Sequence, residues 1–224
     1  MTAPPMRELV SPNHGARPPG TVIDTLVLHY TGMATAVEAL ARLCDPQSAV
    51  SAHYVIDEDG TVTRLVPEAR RAWHAGVSSW RGESDINDRS IGIELVNPGH
   101  EFGYRPFPEA QMTALISLAH DVLARHSIPP ARVLGHSDVA PGRKQDPGEL
   151  FDWAALAEAG IGLWPKKTAK AEGDARAMLQ RFGYDPGAAG VIAAFQRHFR
   201  PAKINGVVDE ETHARLAAVV AALP

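Results

Sequence analysis

Apolar residues fall into short runs separated by polar, proline- and glycine-rich stretches, and the spacing inside each run predicts its element. The run DTLVLHYT, residues 24–31, is aliphatic and β-branched, the pattern of a central strand covered on both faces. In such a strand Val27 and His29 share one face, and Leu28 and Tyr30 the other. TAVEALARLC, residues 35–44, predicts a short helix with Val37, Leu40, Ala41 and Cys44 on its apolar stripe. Residues 53–66 predict a hairpin turning at Asp59-Gly60, and SIGIELVN, residues 90–97, a second buried strand. From Pro108 to His126 the positions Met112, Leu115, Ile116, Ala119, Val122 and Leu123 keep helical spacing, with proline at the first turn. ARVLGH, residues 131–136, predicts a strand that runs into the loop GHSDVAPGRKQDPG, residues 135–148.

Strands with intervening helices predict an α/β (α+β) domain, a mixed central sheet flanked by helices, over residues 1–163. A polar, lysine-rich linker is expected at 164–174. Beyond it the pattern is helical only. Asp174 is placed to cap a helix with Met178, Leu179 and Phe182, and Asp209 one with Leu216, Val219 and Val220. Between them lies a helix with Val191, Ile192, Phe195 and Phe199, giving a small three-helix domain over 175–224.

Composition narrows the function without naming it. A formal net charge of -4 argues against a nucleic-acid binder, which carries a basic excess. A single cysteine, Cys44, excludes an internal disulfide and any cysteine-rich zinc site, and it fits a small core position. No apolar run is long enough to span a bilayer. Residues 1–20 lack a basic segment followed by an apolar one, so a cytoplasmic protein is expected, with the periplasm as the alternative if a leader has been removed.

The candidate chemistry lies where polar residues interrupt apolar runs. His29 sits in mid-strand, where an imidazole is costly unless both ring nitrogens find partners. His136 leaves its strand at the quoted loop and Asp146 follows the Pro-Gly turns, so both can converge with His29 at one sheet edge. Two imidazoles and a carboxylate suit a hydrolytic zinc, which takes three protein ligands and leaves one position open. Glu94 puts a carboxylate within a buried strand, where a nearby cation or the role of general base would account for it. Lys144, two residues before Asp146, is placed to face a substrate carbonyl.

In that order LVLHYTGM, SAHYVIDEDGTV, AWHAG, SIGIELVN and GHSDVAPGRKQDPG resemble the zinc N-acetylmuramoyl-L-alanine amidases of the AmpD/AmiD type, over about residues 8–163. The segment from Leu179 to Leu216 resembles a peptidoglycan-binding helical domain, with Asn205 where aspartate is more usual. The resemblance implies one zinc per chain on His29, His136 and Asp146, with Glu94 and Lys144 catalytic. It implies cleavage of the amide between N-acetylmuramic (or 1,6-anhydro-N-acetylmuramic) acid and L-alanine, in peptidoglycan or in soluble muropeptides, by a monomer. His74, Trp73, Arg89 and Tyr30 are the expected substrate-binding residues, with Arg70, Arg71 and Arg81 as further anchors for substrate carboxylates. Trp73 and Trp80 offer faces for sugar stacking, a core role being equally open for Trp73. His53 is expected to brace the sheet, and His14, His100, His120, His126, His198 and His213 to be bystanders. The rivals are a binding protein on the same fold and a zinc peptidase cutting within the stem peptide.

Overall fold

The computed structural model describes residues 6–167, 169–170 and 172–224. Residues 1–5 of the N-terminal stretch, and 168 and 171 of the expected linker, lie outside the described residues. Three short strands open the chain: β1 (Met6–Glu8), β2 (His14–Ala16) and the central β3 (Thr25–Tyr30). Helix α1 (Ala36–Cys44) follows, then β4 (Tyr54–Ile56), β5 (Val62–Arg64), β6 (Arg70–Ala72), β7 (Ser79–Trp80), β8 (Glu83–Ser84) and β9 (Ser90–Leu95). Helices α2 (Gly99–Phe102) and α3 (Glu109–His126) lead to β10 (Val133–Gly135), α4 (His136–Val139) and α5 (Trp153–Glu158). The chain closes on α6 (Ala175–Phe182), α7 (Val191–Phe199) and α8 (Glu210–Ala221).

Six strands form one mixed sheet in the order β1-β5-β4-β9-β3-β10. Only the β4–β5 hairpin is antiparallel, and its turn lies at Asp59-Gly60 as the sequence predicts. On one face α3 and α5 cover Leu26, Leu28, Ile91, Ile93 and Leu95 with Leu115, Ala119 and Leu156. That burial explains why β3 and β9 read as nearly continuous apolar runs.

The other face carries Val27 and Leu134, and here α6, α7 and α8 contribute. Asp174 and Asp209 cap α6 and α8 by accepting from the amides of Ala177 and Thr212, as expected. Phe182, Phe195 and Phe199 join Trp80, Leu134 and Val139 in a single apolar cluster. The tail helices therefore share a core with the sheet. Trp80 is enclosed in that cluster, so it offers no face to a sugar.

Helix α1 departs from the expected stripe. Ala39 and Leu43 are buried and Ala36, Leu40 and Cys44 partly so, whereas Val37 is 77% exposed. The helix carries apolar residues around much of its circumference, and its contacts with Val55, Leu65 and Val96 select the stripe.

Candidate metal centre

Strands β3, β9 and β10 run parallel, and their carboxyl ends meet where open α/β sheets place ligand sites. His29 and Glu94 are register partners on β3 and β9. Gly135 pairs with Leu28, so the next residue, His136, arrives beside His29. The loop after α4 returns Asp146 to the same point, with the Ser137 amide donating to the Asp146 carbonyl at 2.9 Å. A Cβ on Gly135 would lie 2.7 Å from Pro147 Cδ, so the absence of a side chain there lets the loop close onto the strand end.

The three side chains meet through one atom each. His29 Nδ1 lies 2.9 Å from His136 Nδ1 and 3.0 Å from Asp146 Oδ2, and His136 Nδ1 lies 3.0 Å from the same oxygen. All three residues are buried. His136 Nε2 lies 3.0 Å from the carbonyl of Ala75, which can only accept, so the ring proton is on Nε2 and Nδ1 is bare. Two imidazole nitrogens and a carboxylate oxygen aimed at one point form a donor set for a cation, and their chemistry fits a metal such as zinc. Burial, reinforced by His136, lowers His29 to about 4, so its ring is neutral and able to ligate.

Glu94 lines a cavity of about 350 Å³ above this triad. Its side chain is half-open to the cavity, yet Oε2 is shut from solvent and has no hydrogen-bond partner. Burial, with Asp146 adding to it and Lys144 opposing it, pushes the Glu94 carboxyl well above its ordinary value. A carboxyl beside a cation site with its affinity for protons raised by burial can serve as a proton carrier. Lys144 lines the same cavity, on the loop that carries Asp146.

Tyr30 and Trp73 also line the cavity, and the Tyr30 hydroxyl lies 2.9 Å from His100 Nδ1. Burial, reinforced by Asp146, raises that hydroxyl to about 12, so it is neutral. His74 lies behind His29, with its two ring nitrogens 3.0 Å from His29 Nε2 and 3.0 Å from Ser90 Oγ. His74 also lines the cavity, with both ring nitrogens already within hydrogen-bond distance of protein groups. Arg89 does not line the cavity; it is paired with Asp24 and Glu83. Arg71 is likewise committed to Asp85 and Asp88, and Arg81 donates to the Phe182 carbonyl. The basic residues that do line it, besides Lys144, are Arg42 and Arg143. Neither lies in a strand that announces the site, so neither stands out in the sequence as a cavity residue. The phrase GRK in the quoted loop was the available signal for Arg143.

Residues 19–149 match the amidase-2 family, described as N-acetylmuramoyl-L-alanine amidase. The chain is 42% identical to the N-acetylmuramoyl-L-alanine amidase AmiD of Escherichia coli K12, over 86% of this chain and 80% of that protein. It belongs to the amidase-2 family. The 1,6-anhydro-N-acetylmuramyl-L-alanine amidase AmpD of Enterobacter cloacae is 35% identical to this amidase over 66% of this chain and 86% of that protein. Among solved structures, Escherichia coli AmiD in complex with the substrate anhydro-N-acetylmuramic acid-L-Ala-D-gamma-Glu-L-Lys superposes with a TM-score of 0.79. It is 39% identical and covers 92% of each chain. At 92% of the chain the likeness to AmiD reaches into the tail helices of the amidase, whereas AmpD aligns with 66% of the chain.

His198, expected to be a bystander, is buried in this amidase and lies 2.7 Å from Asp138 Oδ2. His53 braces the sheet: it accepts from the Gly92 amide at 2.9 Å through Nδ1, and Nε2 faces the Arg70 carbonyl at 3.1 Å. Among the described residues no helix is long and apolar enough to cross a membrane.

Proposed function

We propose that this amidase hydrolyses the amide between the lactyl group of N-acetylmuramic or 1,6-anhydro-N-acetylmuramic acid and L-alanine, with one zinc held by His29, His136 and Asp146. The observation that carries the reading is the convergence of three buried donor atoms 2.9–3.0 Å apart beneath a cavity that also holds the partnerless Glu94 carboxylate. When bound, zinc supplies a Lewis acid that acidifies water and polarises the scissile carbonyl.

The residues around it divide the remaining work. Glu94 takes the proton of the attacking water and delivers it to the leaving alanine nitrogen, a shuttle suited to its raised affinity for protons. Lys144 faces the carbonyl oxygen and holds the charge that develops there. Trp73 and Tyr30 form the wall against which the substrate is oriented. Residues 1–163 carry this chemistry. Residues 175–224, by their resemblance to a peptidoglycan-binding domain, are the part that meets the wall polymer.

The test is to incubate the full chain with an anhydromuramyl tripeptide and weigh the products. Release of anhydro-N-acetylmuramic acid and an intact tripeptide is expected. Fragments cut between amino acids would replace this reading with a stem-peptide peptidase, and no cleavage would leave a binding protein.

A further inference from the structure

A zinc-binding imidazole must present a bare nitrogen to the metal, and something must hold the ring proton on the other one. For His136 the Ala75 carbonyl does this directly. For His29 no carbonyl of the described residues is in reach of Nε2; its partner is His74 Nδ1 at 3.0 Å, a group that can donate or accept.

The ambiguity is resolved two steps further back. His74 Nε2 lies 3.0 Å from Ser90 Oγ, and the Ser90 hydroxyl donates to the Ile86 carbonyl at 2.7 Å. A carbonyl only accepts, so the single hydroxyl proton of Ser90 is committed to it, and toward His74 the oxygen can only accept. His74 therefore carries its proton on Nε2. Its ring is buried among His29, His53 and Ser90, with no carboxylate of the described residues hydrogen-bonded to it. Nδ1 of His74 is then bare and accepts from His29 Nε2–H, which leaves Nδ1 of His29 bare and aimed at His136 and Asp146.

The surroundings are built for this ring. A Cβ on Gly92 would lie 2.5 Å from His74 Cγ, so β9 admits the imidazole only because residue 92 has no side chain. The buried Asn87 accepts from the amides of His74 at 3.0 Å and Ala75 at 2.8 Å. One side chain thus fixes the backbone of both second partners, the His74 ring and the Ala75 carbonyl.

We propose that His74 and Ser90 are positioning residues of the metal centre, relaying the Ile86 carbonyl to His29 so that its Nδ1 is held unprotonated toward the metal. The proposal rests on the reading of His29, His136 and Asp146 as zinc ligands.

The test measures zinc affinity by chelator competition on the zinc-loaded full chain, with no activity readout. His74→Leu removes the acceptor, and affinity should fall about 10- to 100-fold, the usual effect of losing a partner of a ligand histidine. His74→Asn keeps an acceptor oxygen at the place of Nδ1 and should stay within about threefold of the parent. Ser90→Ala frees the His74 tautomer and should cost about tenfold. In the parent protein labelled with 15N-histidine, two-bond proton–nitrogen correlations should place the His74 proton on Nε2.

A proton on His74 Nδ1 overturns the relay, and this reading needs no variant to fold. So does equal loss in the Asn and Leu variants, which would mark a packing role, or affinity within twofold of the parent in both His74→Leu and Ser90→Ala. Asp146→Ala is the control: if it keeps its zinc, the ligand assignment itself fails and the relay falls with it.

Discussion

His198 on α7 reaches Asp138 on α4, its Nδ1 donating to Oδ2 at 2.7 Å across sixty residues of sequence. The same carboxylate accepts from the Gly135 amide at 2.7 Å and from the Tyr184 hydroxyl. Asp138 lies two residues after His136, so the tail helices grip the turn that carries this proposed metal ligand. The contact is wholly buried, with Trp153 stacked on the His198 ring at 3.7 Å between centroids.

A chain ending at Trp164 should therefore fail to keep a native fold, because Trp80, Leu134 and Val139 lose their cover of Phe182, Phe195 and Phe199. Tyr184→Phe is the milder probe: it withdraws one donor from a buried carboxylate and should destabilise by about 1.5–3 kcal/mol. Thermal unfolding and soluble yield measure both. A truncated chain that melts like the full one would show that the shared core contributes little.

Asp146→Ala and Glu94→Ala should separate ligand from base. Asp146 is the anionic member of the triad, so its loss should remove metal and activity together. Glu94 Oε2 has no protein partner, so its removal leaves the triad intact while the rate falls about 10²–10⁴-fold. Elemental analysis of the purified variants beside initial rates decides. Metal lost from the Glu94 variant would make it a ligand.

Arg42, in the last turn of α1, lines the cavity, exposed and, among the described residues, in no ion pair. Stem peptides carry carboxylates, and the arginines expected from the sequence to meet them, Arg71 and Arg89, are already paired. Arg42→Ala should raise KM about three- to tenfold with kcat nearly unchanged, since an exposed ion pair is worth about 1 kcal/mol. A fall in kcat with KM unchanged would instead place Arg42 in the transition state.

The sequence reading reached furthest where one residue type stood out against its strand. His29 and Glu94 interrupt buried runs, and the parallel register of β3 and β9 does set them side by side. The loop from Gly135 to Gly148 was legible as a return path because its prolines and glycines exclude a helix or strand. What stayed hidden depends on long-range packing. Nothing local distinguishes Arg42 from Arg89 as a cavity residue, and nothing near His198 announces Asp138. β1 at the sheet edge (MRE), and β2 (HGA) with β6 (RRA) in a separate antiparallel pair, carry no apolar pattern that marks a strand. Arg17 helps pin that pair, donating to the carbonyls of Glu68, Asp88 and Ser90.

The pH dependence of stability should report His53, a buried ring away from the metal ligands. Its Nδ1 accepts from the Gly92 amide, so the neutral ring carries its proton on Nε2, toward the Arg70 carbonyl. Burial first, then the Arg17 guanidinium at 3.1 Å, lowers it to about 3 from an ordinary value of 6.5. The unfolded chain therefore takes up a proton below pH 6.5 that the folded protein refuses. The stability this neutral ring contributes is present above pH 6.5 and is lost as pH falls toward 3, by about 1.4 kcal/mol per pH unit for one proton. His53→Asn keeps an acceptor for Gly92 and cannot titrate. It should be less stable than the parent at pH 7.5, since the contact to Arg70 is gone, yet lose stability more slowly on acidification. Urea unfolding of both proteins at about pH 7.5, 6 and 5, each stripped of metal, isolates the difference, because His29 and the remaining histidines titrate in both. Parallel slopes would show that His53 is protonated in the folded protein, and that the Gly92 amide is not its partner.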